Sequence, residues 1–97
     1  RLLAVSEGAV RVALDPGGWM GRTEEWVDRW EEWEGSGVKR VAFLVGGAEG
    51  HAQGVRVACE RWSLGPITLQ HELALVVLLE QLYRVQTIRR GEPYHRA

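Results

Sequence analysis

Residues 41–50 read VAFLVGGAEG, residues 62–84 read WSLGPITLQHELALVVLLEQLYR, and residues 93–96 read PYHR. Val41–Val45 is a continuous apolar run of strand length, the pattern of a central parallel strand covered on both faces. Gly46-Gly47-Ala48-Glu49-Gly50 breaks that run, and a helix through roughly Val55–Arg61 is expected after it. Trp62-Ser63-Leu64 and Ile67-Thr68-Leu69 flank Gly65-Pro66 and read as a short strand followed by a loop. His71–Arg90 is the final helix.

Working outward from this half, Val10, Val12 and Leu14 alternate with Arg11 and Ala13, which argues for a strand. Asp15-Pro16-Gly17-Gly18 reads as the turn that ends it. Thr23 is placed to cap a helix, with Glu24 and Glu25 in the first turn, where the helix dipole favours carboxylates. Trp26, Trp30 and Trp33 recur at helical spacing, so Thr23–Glu34 should be amphipathic, and Gly35-Ser36-Gly37 stops it. Alternating strands and helices give an α/β fold with a mostly parallel sheet, in one domain spanning residues 1–97. Arg1–Val5 followed by Ser6-Glu7-Gly8 reads as the last turn of a helix with a glycine stop. The expectation is a chain that starts inside a helix and lacks an upstream portion.

With 97 residues the chain supports one modest core. The longest uncharged apolar run, Leu73–Leu79, is far too short to span a bilayer. No signal-peptide pattern opens the chain. Cys59 is the single cysteine, which excludes a disulfide framework and a paired-cysteine metal site. A cytoplasmic, metal-free protein is expected, with no membrane segment. The net charge of −1 argues against a generic nucleic-acid binder. The charge is uneven, however. Glu24, Glu25, Asp28, Glu31, Glu32 and Glu34 form an acidic segment, and Arg84, Arg89, Arg90, His95 and Arg96 make the C-terminal end basic.

The first half of the last helix is apolar nearly all round, from Leu73 to Leu79. A helix lying on one sheet needs a single apolar stripe. This one needs cover on a second side, and a second copy of the chain is the expected cover, so a homodimer is inferred.

Three segments carry chemistry, and each also has an ordinary reading. Glycines at 46–50 let a backbone approach a ligand at the carboxyl end of a strand, or simply turn the chain into a helix. Ile67-Thr68-Leu69-Gln70-His71 offers one hydroxyl, open backbone and apolar side chains, which suits an adenosine-like ligand; equally, it could be a core connection with His71 as a cap or a core histidine. Pro93-Tyr94-His95-Arg96 combines two proton-shuttling groups with a phosphate-binding one, or is a disordered tail. Trp19, in the loop after a strand end, is the tryptophan placed to stack on a base.

Taken together, in order and spacing, these segments resemble the RlmH family of SPOUT-class methyltransferases. The matching pieces are Leu14-Asp15, Gly46–Gly50, Ser63-Leu64, Thr68–His71, Glu80-Gln81-Leu82-Tyr83-Arg84 and Pro93–Arg96. The resemblance implies an α/β knot, in which the C-terminal segment threads a loop to make a deep trefoil, a rare exception to the rule against knots. It implies S-adenosylmethionine as methyl donor, held in the knot by Leu14, Gly46 and the loop Leu64, Gly65, Pro66, Ile67, Thr68 and Leu69. It implies methylation of a ring nitrogen, N3, of a pseudouridine in large-subunit ribosomal RNA, by a homodimer that takes the base between its subunits. His95 is then the expected base, Tyr94 its alternative or a positioning group, and Arg96 a phosphate contact.

Three departures from the family pattern are visible. Ala48 replaces a proline, Leu75 stands where an arginine is expected four residues after His71, and the first strand, helix and second strand, on the order of sixty residues, are not in the sequence. They leave open a fragment or a natural short member, and with it a shortened, non-catalytic α/β-knot homodimer, with or without bound S-adenosylmethionine, that does not methylate; an unrelated small α/β nucleotide-binding protein is the third alternative.

Overall fold

The computed structural model describes residues 9–45 and 60–96. The elements run β1 (Ala9–Trp19), α1 (Thr23–Gly35), β2 (Arg40–Leu44), β3 (Glu60–Trp62) and α2 (His71–Arg89). The strands form one sheet in the order β2-β1-β3, and both pairings are parallel. Parallel neighbours need a crossover connection, and α1 supplies it between β1 and β2. The α/β class and parallel sheet are as expected. The chain course that would define a trefoil knot includes residues 46–59, which lie outside the described residues, as do Gly46–Gly50 and most of the helix expected at 55–61.

Four local expectations are corrected. First, β1 and not β2 is the middle strand of the described sheet: Val10, Val12 and Ala13 are buried, whereas Ala42 of β2 is exposed. The run Val41–Val45 is paired along one side only among the described residues, so its unbroken hydrophobicity marks a strand without marking the centre.

Second, Asp15–Gly18 does not end β1. The strand resumes at Trp19, and Trp62 stands opposite both Leu14 and Trp19 across a register shift. The turn chemistry is present, since the Asp15 carboxylate accepts a 2.9 Å hydrogen bond from the Gly17 N–H, but it builds a bulge within the strand. Third, Glu60 and Arg61 belong to β3, opposite Val12 and Ala13, rather than to a helix. Fourth, Arg22 and not Thr23 precedes the first turn of α1. The Glu25 carboxylate accepts from the Arg22 N–H at 2.6 Å, and the Thr23 hydroxyl instead donates to Gln81 Oε1 at 2.7 Å.

The core is aromatic. Trp62 is fully buried, with Trp19, Trp26, Trp33 and Phe43 around it at ring-centroid distances of 4.8, 4.8, 5.3 and 5.9 Å. Leu78 and Val85 of α2 join Trp26 and Trp33 of α1 in the same cluster. Arg89 fastens the end of α2 to α1 through Glu31, at 2.9 Å, and Glu34.

Candidate active site

The register of β1 aligns the carboxyl ends of all three strands, because Ala13 lies opposite Leu44 on one side and Arg61 on the other. That edge of a parallel sheet is where open α/β folds hold ligands. Leu14 stands there, half-buried, and packs against the aromatic cluster together with Leu64.

Ser63 shapes the loop that follows β3. It is buried, its N–H donates to the Trp19 carbonyl at 2.6 Å, and its hydroxyl both accepts from the Gly65 N–H at 3.0 Å and donates to the Gly65 carbonyl at 2.8 Å. Gly65 has φ +150° with open space where a Cβ would stand, so conformation rather than crowding reserves the position for glycine. Pro66, Ile67 and Thr68 are exposed and Leu69 is half-buried. Gln70 closes the loop by capping α2, its Oε1 accepting from the N–H groups of Glu72 and Leu73. His71 is an exposed first-turn residue, neither cap nor core. From Ser63 to Gln70 there is no charged side chain.

The C-terminal segment is held against the two helices. Tyr94 Oη donates to Glu80 Oε2 at 3.0 Å, and its ring meets Tyr83 edge-on at 4.8 Å. Arg84 binds the same Glu80 oxygen through Nε and Nη2, at 3.1 and 2.6 Å, and lies 4.8 Å from the Tyr94 ring centroid. Its Nη1 contacts His95 Nδ1 at 3.1 Å, and His95 Nε2 contacts Glu24 Oε2 at 3.0 Å. Arg96 is exposed.

Electrostatics follow these contacts. Hydrogen bonding from Arg84, before all else, holds the Glu80 carboxyl below its ordinary range. The bond from His95 does the same for Glu24. Tyr94 is held above the ordinary phenol value, chiefly by its bond to Glu80, so it keeps its proton and acts as a donor.

The structure therefore brings Leu14 together with Leu64, the first residue of the Leu64–Leu69 loop, at one edge, and Tyr94 with His95 at another place. Glu80, which anchors Tyr94, is about 14 Å along α2 from His71 at 1.5 Å of rise per residue. Within one protomer the expected donor loop and the expected base are set apart.

Trp19 is not free to stack on a base. The Arg29 guanidinium lies 4.0 Å from its ring centroid, and Trp62 meets it edge-on. A recess of about 140 Å³ beside Trp30, Trp33, Val38 and Arg40 opens at the opposite end of the sheet. Among the described residues no cluster of His, Cys, Asp and Glu could hold a metal ion, and no helix is long and apolar enough to cross a membrane.

Residues 1–95 match a family described as "Predicted SPOUT methyltransferase". The chain belongs to the SPOUT methyltransferase family. It is 57% identical over 96 residues to the ribosomal RNA large subunit methyltransferase H of Thermus thermophilus, a match that covers 98% of this chain and 68% of that protein. Proteins of the same name from Xylella fastidiosa and Xanthomonas euvesicatoria are 44% and 45% identical, over 98% and 99% of this chain. The chain spans 60% and 62% of their lengths.

Sequence reasoning named four residues without seeing the contacts by which they organise this SPOUT methyltransferase. Glu80 and Arg84 had a signal in their spacing of four along a helix. Ser63 stands out in the sequence for its place in the motif and not for its buried hydroxyl. Glu24 had no signal for this part, because its contact with His95 joins residues 71 positions apart.

Proposed function

We propose that this chain transfers a methyl group from S-adenosylmethionine to N3 of a pseudouridine in large-subunit ribosomal RNA. The observation that carries the reading is the 57% identity, across 98% of the chain, to a protein named as a ribosomal RNA large subunit methyltransferase. The loop after β3 fits such a donor: it presents apolar side chains, one hydroxyl and no charge at the carboxyl edge of a parallel sheet. Leu14 and the Leu64–Leu69 loop are the described residues that would hold it, and Gly46 is proposed to join them. When bound, the donor supplies an electrophilic methyl group on a sulfonium.

Transfer of that methyl group to the ring nitrogen would require the nitrogen to give up its proton to a base. His95 is proposed as that base. Tyr94, held protonated by Glu80, is proposed to position the base or its substrate, and Arg96 to contact a phosphate. The separation of loop and tail along α2 is met by a homodimer in which the target base enters between subunits. The exposed apolar residues of α2, among them Leu73, Leu75, Val76 and Leu79, supply the surface for that association. A C-terminal deep trefoil knot completes the proposed architecture.

A second reading is a homodimer that binds the donor without methylating. Leu75 favours it, since an apolar side chain, 42% exposed, stands where the family pattern has an arginine. One experiment separates the two. Calorimetry with S-adenosylmethionine should give micromolar binding, about −8 kcal/mol, and large subunits carrying the pseudouridine should accept tritiated methyl groups. Binding without transfer selects the second reading, and absence of both refutes each.

A further inference from the structure

We infer that Glu24 is the positioning carboxylate of His95, fixing the imidazole as its neutral Nε2–H tautomer so that Nδ1 is the proton-accepting atom. The inference rests on the reading of His95 as the base, and it names the atom and the partner that reading leaves open.

A guanidinium has only donors. Arg84 Nη1 sits 3.1 Å from His95 Nδ1, so that nitrogen accepts and carries no proton. The ring proton is then on Nε2, where Glu24 Oε2 accepts it at 3.0 Å. A carboxylate on one ring nitrogen and a lone pair on the other is the arrangement that makes an imidazole an oriented base. The charged groups around the pair are consistent with this direction. Arg22 Nε, 3.8 Å from Glu24, favours the ionised carboxylate, and Arg84 is itself tied to Glu80 by two bonds.

The arrangement also gives Arg84 a defined part at rest. It occupies the Nδ1 lone pair, so the base is engaged until the guanidinium moves. A phosphate is a better acceptor for that guanidinium than an imidazole nitrogen. A phosphate brought against Arg84 would free Nδ1. Glu24 holds the other side of the ring, and its place on the first turn of α1 ties the tail to the element that follows the β1 bulge.

The test pairs two measurements on Glu24→Ala and Glu24→Gln, with Glu32→Gln as a control for the loss of one α1 charge. Two-bond proton–nitrogen NMR of the His95 ring reads the tautomer without any methyl transfer. Wild type should show Nε2–H alone. Glu24→Gln should keep it, because its amide oxygen still accepts; in an Arg84→Ala background, where no guanidinium faces Nδ1, Glu24 should still hold Nε2–H and its further replacement by alanine should give a mixture. In methyl transfer to large subunits, Glu24→Ala should lose roughly tenfold or more in kcat with KM nearly unchanged, a fraction of what a general base contributes, and Glu24→Gln should recover part of it. In the Arg84→Ala background, a His95 spectrum that does not change when Glu24 is replaced by alanine overturns the inference, as does an unchanged kcat in Glu24→Ala. If the wild-type protein transfers no methyl group, the proposed function fails while the ring spectrum still decides the tautomer.

Discussion

Gly18 lies against Arg61 so closely that a Cβ added to it would stand 2.5 Å from both the carbonyl carbon and the carbonyl oxygen of Arg61. Real side chains do not tolerate that approach to backbone. The contact is made where β1 rejoins β3 beyond its bulge, one residue before the Trp19 carbonyl receives the Ser63 N–H. The glycine thus decides how near the loop after β3 lies to the sheet.

Gly18→Ala should force β1 and β3 apart. The expected cost is about 1–3 kcal/mol, the usual range for overpacking, which lowers Tm by roughly 5 °C or more in a chain of this size. Thermal denaturation followed by circular dichroism measures it. An unchanged Tm would mean that the bulge absorbs a methyl group without moving Arg61.

Ser63→Ala should act on the ligand more than on the fold. It removes both hydroxyl bonds that turn the chain at Gly65 and leaves the Ser63 N–H on Trp19 intact. We expect S-adenosylmethionine affinity to fall by roughly tenfold, about 1.4 kcal/mol, measured by calorimetry. Wild-type affinity would place the donor away from the Leu64–Leu69 loop.

Leu75→Glu and Leu79→Glu should yield folded monomers. Both side chains are substantially exposed in the isolated protomer, at 42% and 55%, so a carboxylate there is hydrated and costs the fold little. In an interface either one buries an unpaired charge. Light scattering with far-ultraviolet circular dichroism checks both halves of the expectation, and a wild-type monomer at micromolar concentration would refute it.

Acid should release the tail. Glu80 and Glu24 both titrate below the ordinary glutamate range in the folded chain, because Arg84 and His95 bond their ionised forms. A folded-state value lowered in this way stabilises docking fully above the unfolded glutamate value, about 4.3. That contribution is lost as pH falls through the lower folded values. Ring resonances of Tyr94 should therefore move toward unstructured values below about pH 4, and added salt should weaken the docking, since both carboxylates are solvent-accessible. Resonances that hold steady to the point of global unfolding would show that the Tyr83–Tyr94 ring contact suffices.

Elements with a local cause were legible in the sequence. The tryptophan spacing of α1 and the apolar length of α2 gave those helices nearly to the residue. The alternation at Val10–Leu14 gave the start of β1. What was not legible depended on partners far along the chain. The Asp15–Gly18 turn is a bulge only because β3 lies beside it, and Thr23 lost its capping role to Gln81, 58 residues away. The site divides the same way. The Ser63-Leu64 and Pro93–Arg96 motifs marked where chemistry could lie, but the Glu24 contact that orders His95 needs the folded chain.

The aromatic core has a spectroscopic consequence. Trp62 touches Trp19, Trp26 and Trp33, and Trp33 touches Trp30 at 5.2 Å, so all five tryptophans form one connected set. Chromophores this close share their excited states. Excitation migrates among them, and emission cannot be assigned to one indole by replacing it singly. The same proximity couples their transitions into a near-ultraviolet circular dichroism signal that depends on the mutual angles of the rings. That signal should vanish in any state that keeps its helices and loosens its packing, which makes it an optical measure of whether a variant has a native interior.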